Sequence, residues 1–166
     1  MKTLILVRHA HRDNSHRELD NGLTEKGKKQ AQWVRKFALG RMKEENWDKG
    51  KIQLISSPKV RCVETLEPLG KSLELKVQAS ADLIEMQNRE TVEQMDQRIH
   101  RFLRDWTSKS MPITIICSHG DWLPLAAFHL LGVSIDFKKG TWAEIEWHEG
   151  RAHLQWIVRS FKPFYD

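Results

Sequence analysis

Two histidines and two arginines stand where phosphoryl chemistry would want them. Arg8-His9 closes one apolar run, Arg61 follows Ser56-Ser57-Pro58 behind a second, and His119 lies in Ser118-His119-Gly120 behind a third. A neutral imidazole nitrogen can attack phosphorus and form a phosphohistidine, splitting one hard displacement into two easier ones. Guanidinium groups stay charged at every physiological pH and fork onto phosphoryl oxygens. The transition state of phosphoryl transfer spreads charge over three such oxygens. Nearby guanidiniums also favour the uncharged, nucleophilic form of the imidazole. The leaving oxygen then needs a proton, which a carboxyl group can supply.

These residues must be positioned by the elements around them. Residues 3–7, 52–55 and 113–117 are short runs rich in Leu, Ile and Val without alternation, the pattern of strands buried on both faces of a parallel sheet. Helical patterns fill the intervals. Residues 24–39 place Gly27, Ala31, Val34 and Ala38 on one face, with Thr24 as N-cap and Gly40 as the stop. Ser57-Pro58 reads as an N-cap and first-turn proline, followed by Val63, Leu66 and Leu69 before Gly70. Residues 91–106 carry Val92, Met95, Ile99, Phe102 and Trp106 on a stripe, and Thr91 and Gln94 have capping-box spacing. Residues 121–131 form a more apolar helix ending at Gly132, with Pro124 in its first turn. Residues 142–147 and 152–159 flank a turn at Glu149-Gly150, a hairpin signal. A short strand is weakly signalled near residues 75–77, and residues 40–50 form the most polar connection, expected to be a mobile loop.

The order predicts one α/β domain over residues 1–166, a three-layer α/β/α arrangement with a largely parallel central sheet and an antiparallel edge. In open α/β sheets ligands bind outside the carboxyl ends of the strands. If the three apolar runs are parallel neighbours, Arg8, His9, Arg61 and His119 converge on one spot. Each also lies at or near the start of a helix, where free N–H groups favour an anion.

With these residues in view, Leu6-Val7-Arg8-His9-Ala10 resembles the Arg-His-Gly signature of the histidine phosphatase superfamily, branch 1, which includes the cofactor-dependent phosphoglycerate mutases. The stretch from Gly22 to Ala31 is similar to that family's Leu-Thr-x-x-Gly-x-x-Gln-Ala segment. The stretch from Ser56 to Arg61 resembles its Ser-Ser-Pro-x-x-Arg segment, and Ser118-His119-Gly120 its second-histidine motif. The resemblance implies a phosphoglycerate mutase-like fold and the phosphorylated nucleophile at His9. It implies phosphoryl binding by Arg8, Arg61 and His119, with Arg12 completing the pocket, and Glu85 as the acid that protonates the leaving group. Asp121 is the competing carboxyl, read here as an N-cap. Asn14 and Ser15 read as turn residues, and His11 and His16 as exposed loop residues.

Two departures from the family pattern matter. Ala10 stands in place of the usual glycine, which would be strained if the position needed a positive φ. The interval from Arg61 to His119 is already filled by two helices, leaving little room for the larger lid of mutase-like members. A mutase must exclude water from its intermediate, so a short lid favours hydrolysis. The expected activity is therefore hydrolysis of a phosphate monoester or a phosphoprotein through phospho-His9. A mutase-like phosphotransferase and a phospho-ligand binding domain without turnover are the alternatives.

Composition narrows the remaining classes. Lys plus Arg number 27 against 22 Asp plus Glu, a modest and scattered excess that argues against a nucleic-acid partner. Cys62 and Cys117 lack metal-ligand spacing and read as buried free thiols of a reducing compartment. The histidine spacings imply no metal, and no cofactor is expected. The first apolar run is too short for a signal segment and no run reaches membrane-span length, so a cytoplasmic location is expected. Most tryptophans fall in core or sheet patterns. Trp122, beside His119, is the one assigned to the ligand, together with the segment around residues 70–95. Oligomeric state stays open.

Overall fold

The computed structural model describes residues 1–165. The chain runs β1 (Lys2–Arg8), α1 (Glu25–Glu44), β2 (Ile52–Ser56), α2 (Val60–Leu73), β3 (Val77–Ala79), α3 (Val92–Lys109), β4 (Ile113–Ser118), α4 (Trp122–Leu131), β5 (Trp142–His148), β6 (Arg151–Val158) and a last turn of helix, α5 (Lys162–Tyr165). The six strands form one sheet in the order β3-β2-β4-β1-β5-β6. The β1, β2, β3 and β4 pairings are parallel, and β5 and β6 close the far side antiparallel.

Strand alternation sorts the core into two layers. Leu4, Leu6 and Ile116 face α3 and α4, packing on Met95, Ile99, Phe102, Trp122 and Leu123. Ile5, Val7, Ile115 and Cys117 face α1 and α2, packing on Val34, Ala38, Cys62, Leu66 and Leu69. Because both faces are covered, β4 is buried at all six positions, and its sequence is a run rather than an alternation. The fold is the three-layer α/β/α arrangement expected.

Helix boundaries hold where a side chain closes them. Thr24 caps α1 by accepting from Gly27 N, and Thr91 and Gln94 form the reciprocal capping box of α3. Asp121 caps α4 and Gly132 ends it at φ 70°, a left-handed position glycine takes without steric cost. Glu149 and Gly150 turn the hairpin with φ of 50° and 77°, the signature of a type I′ turn.

Four expected boundaries move. Helix α1 passes through Gly40 to Glu44, because Arg41 beyond it is buried against Glu144 of β5. The polar connection is thus half helix, and Trp47 lies beneath the Arg41 guanidinium rather than in a mobile loop. Helix α2 begins at Val60 with Lys59 at its cap position, so Ser57 and Pro58 precede it. It also runs through Gly70, where a Cβ would sit 2.8 Å from the Leu75 carbonyl. Gly70 is there for close approach to the β3 segment, and the helix ends instead on Glu74 at φ 57°. The weakly signalled strand lies two residues later than expected, at Val77–Ala79. No described helix is long and apolar enough to cross a membrane, and Cys62 and Cys117 are buried free thiols.

Candidate active site

The sheet register itself gathers the site. Arg8 lies opposite Ser118, and Ser56 opposite Cys117, so β1, β4 and β2 end level with one another. The ladder continues one residue further on each side: His9 N donates to Ser118 O at 3.1 Å, and Ser57 N to Cys117 O at 2.9 Å. The residues leaving the three strands therefore enter the same space. His9 and His119 are 5% and 2% exposed, with ring centroids 5.4 Å apart. Arg61, in the first turn of α2, is 2% exposed and lies beside them.

Each imidazole is oriented by its neighbours. His9 Nδ1 is 2.8 Å from Ala10 O. A carbonyl only accepts, so the neutral ring carries its hydrogen on Nδ1 and leaves the Nε2 lone pair free. Ala10 N in turn donates to Thr65 Oγ1, which donates to Arg61 O, so α2 holds the segment after His9 from behind. Ala10 is fully buried and does not have a positive φ, so the missing glycine causes no backbone strain. His119 Nε2 meets Ser57 Oγ at 2.8 Å, while its Nδ1 lies 3.3 Å from Glu85 Oε2. Burial is the main cause pushing both rings down to about 3. For His9, charge from His119, Arg61 and Arg8 adds to that effect, against the opposing pull of the Ala10 carbonyl. For His119, Arg61, Lys59, Arg8 and Arg12 do so. Both rings are therefore neutral at physiological pH.

The arginines are only partly paired. Arg8 Nη1 donates to Phe137 O at 2.6 Å, and burial lowers its pKa against the attraction of Asp136 and Asp121. Arg61 Nη2 pairs with Glu85, and Nη1 lies 3.7 Å from Asp20. The Nε atoms of both Arg8 and Arg61 are buried without a hydrogen-bond partner. Gly120 is required here because a Cβ would come within 2.7 Å of the Arg8 guanidinium carbon. Gly27 is required as well, since a Cβ there would come within 2.0 Å of His11 O; α1 thereby packs directly on the segment that follows His9.

Arg8, His9, Arg61, His119 and Glu85 thus come together. Arg12 stands at the rim: its Nε donates to Asn14 Oδ1 at the surface, and its charge still reaches His119. Asp121 is turned elsewhere, accepting from Trp122 N and, at 2.9 Å, from Met86 N. It pins the residue next to Glu85. The same segment is held by Arg98, whose Nη1 donates to the carbonyls of Asp82 and Ile84 while Nε and Nη2 grip both Glu90 oxygens. Trp122 is completely buried in the core and donates to Asp82 O; it supports the Glu85 segment from below and does not face a ligand. His16 is exposed as expected, while His11 is half-buried and bonded to Thr24. Lys139 was missed from the sequence. It shares the field of Arg8, Arg12, Lys26 and Arg61, which together with burial, the larger cause, lowers its pKa. Its place after α4, far from any motif, gave no signal. Ser57, Lys59 and Thr65 lay inside a recognised segment, but their roles depend on side-chain directions that spacing does not reveal.

A cluster of two neutral imidazoles, two under-paired guanidiniums and further lysine and arginine charge suits a tetrahedral oxyanion. Solved structures with the same architecture include phosphoserine phosphatase from Entamoeba histolytica, 16% identical, covering 95% of this chain and 96% of that one with a TM-score of 0.72. A candidate alpha-ribazole-5′-P phosphatase from Escherichia coli is 18% identical over 96% and 97% of the two chains, with a TM-score of 0.81. A mycobacterial glucosyl-3-phosphoglycerate phosphatase is 17% identical over 93% and 98%, with a TM-score of 0.73. At such identities these likenesses establish the fold. No curated protein gives a significant match. The family model of the histidine phosphatase superfamily (branch 1) matches residues 4–89, more than half of the sequence. The chain belongs to branch 1 of the histidine phosphatase superfamily.

Proposed function

We propose that this protein is a phosphatase that hydrolyses a phosphate monoester, on a small molecule or on a protein, through a phosphohistidine at His9. The observation that carries the reading is the His9 ring: Nδ1 is committed to the Ala10 carbonyl, and Nε2 is left bare beside Arg8, Arg61 and His119. In the first half-reaction Nε2 attacks phosphorus and the ester P–O bond breaks. Arg8, Arg61 and His119 hold the three equatorial oxygens. Phosphoryl oxygens compete with Glu85 for the Arg61 guanidinium, so substrate binding releases the carboxyl from its ion pair. Glu85, once released, takes up a proton from solvent and lies where it can pass that proton to the leaving oxygen. In the second half-reaction water attacks the phosphohistidine, Glu85 takes the proton, and His9 Nε2 leaves.

Hydrolysis is favoured over transfer because only residues 80–91 connect β3 to α3, and that segment is riveted to the body by Arg98, Asp121 and Trp122. Such a short covering leaves water access to the intermediate. The three structural relatives named above all carry the name phosphatase, which agrees with this reading. The test is turnover of an aryl phosphate with trapping of labelled protein by an alkaline detergent quench. Wild type is expected to accumulate an acid-labile, base-stable phosphoryl group, and His9→Ala to lose both the label and turnover. Full activity in His9→Ala would overturn the mechanism.

A further inference from the structure

A second cluster of chemistry-bearing side chains lies on the opposite helical layer, outside the phosphoryl pocket. Asp96 and His100 are one turn apart on α3, and His129 comes from near the end of α4. Their donor atoms all fall within 4.8 Å of one another. His129 Nε2 is 2.6 Å from Asp96 Oδ1, and His100 Nε2 is 3.5 Å from Asp96 Oδ2. The two imidazole rings lie with centroids 3.9 Å apart and planes tilted by 47°. Two rings from two helices thus turn the same nitrogen toward one carboxylate, although a single ring would suffice for an ordinary surface ion pair.

The geometry points to a binding site for a zinc ion formed by Asp96, His100 and His129. Ligand atoms around tetrahedral zinc, at about 2.0–2.1 Å from the metal, lie roughly 3.3 Å from each other. The two Asp96–imidazole separations, 2.6 and 3.5 Å, bracket that spacing. Imidazole nitrogens suit zinc and its late first-row neighbours and do not suit magnesium or calcium, which prefer oxygen. Three protein ligands leave a fourth position for water. The site is reachable from solvent, since the His100 side chain is 58% exposed. It is also remote from the phosphoryl pocket: His129 lies about 10 Å along α4 from Trp122, the residue nearest that pocket. An ion here would cross-link the helix that carries Arg98 to the helix that follows His119. Sequence spacing conceals the site, because only the Asp96–His100 pair is local.

The test is titration of untagged, metal-free protein with Co²⁺ as a spectroscopic stand-in and then with Zn²⁺. Wild type is expected to bind one Co²⁺ with the visible absorption of a four-coordinate ion, to release it to one equivalent of Zn²⁺, and to ignore Mg²⁺. At a hundredfold excess over Kd, Zn²⁺ should raise Tm by about 5 °C or more. His100→Ala and His129→Ala should each weaken binding about tenfold or more and abolish the Tm rise, with unchanged far-UV circular dichroism. His9→Ala should bind as wild type does. Absence of stoichiometric binding would overturn the proposal. So would binding that survives in both α3–α4 variants but is lost in His9→Ala, which would assign the ion to the phosphoryl pocket.

Discussion

Arg41 and Arg61 are both buried guanidiniums, and they are paired in opposite ways. Arg41 spans α1 and β5 with its donors occupied: Nε and Nη2 grip both oxygens of the buried Glu144, Nη1 takes Glu44, and Glu45 adds a further contact. Hydrogen bonding to Glu144 is the main cause raising its pKa above the ordinary arginine value. Arg61 meets Glu85 and, more distantly, Asp20, and its Nε is unsatisfied. Glu85 is about one-third exposed and carried on a loop, whereas Glu144 is buried on a strand. A saturated buried charge holds elements together. An under-paired one, matched to a displaceable partner, is held ready for a ligand. Leaving a buried donor unmade is costly, and the omission supports the phosphoryl-binding role proposed for Arg61.

That contrast can be broken at either end. The largest effect is expected at Arg61. Arg61→Gln should lower kcat/KM for an aryl phosphate by about a thousandfold, the scale of losing a preorganised transition-state donor, with much less change in the urea midpoint. Arg41→Ala should do the reverse. It strands the Glu144 carboxylate in the core and should cost about 3–4 kcal/mol of stability, measured by urea unfolding. Turnover per folded molecule should stay near wild type. The double change Arg41→Met with Glu144→Leu should recover most of that loss, because apolar replacements remove both charges together. A loss of turnover in Arg41→Ala without a loss of stability would erase the distinction.

Acid sharpens the same comparison, because it acts on the pocket and not on arginines. His9 and His119 stay neutral in the folded protein down to about 3, whereas the unfolded chain protonates them near 6.5. Between those values the unfolded state binds more protons. Stability therefore lies on a plateau above pH 6.5 and falls as pH drops toward 3. The loss should be about 5 kcal/mol by about pH 4.5, shared between the two imidazoles, and His119→Asn should lessen the slope. The same low values predict that kcat/KM shows no acid limb near 6.5 from His9. The smallest effect belongs to Gly40→Ala. An added Cβ there meets nothing within 4 Å, and the position is helical. It should stabilise by about 0.5–1 kcal/mol with no change in turnover.

The parts of the fold that were legible in the sequence have local causes. The Thr91/Gln94 box, the Gly132 end of α4 and the Glu149-Gly150 turn depend on residues a few positions apart, and all three appear where the sequence puts them. The three apolar runs are legible because burial on both faces leaves an unmistakable composition. Gly40 and Gly70 mislead for one reason. Each has the local signature of a helix stop, and in each case a distant contact overrules it: Arg41 with Glu144, and the α2 backbone with Leu75. Trp122 misleads similarly, since adjacency to His119 along the chain says nothing of the direction its ring takes.

From the sequence alone came the pairing of reactive residues with strand ends, the order of the elements and the short connection before α3, because strand ends and helix caps are written in neighbouring residues. Tertiary structure alone decided which nitrogen of His9 is free, that Glu85 rather than Asp121 meets Arg61 and His119, and that Asp96, His100 and His129 converge. Those facts depend on side-chain direction across the parallel register of β1, β4 and β2 and across the α3–α4 packing. Such directions are set by contacts between residues tens of positions apart, which spacing along the chain does not encode.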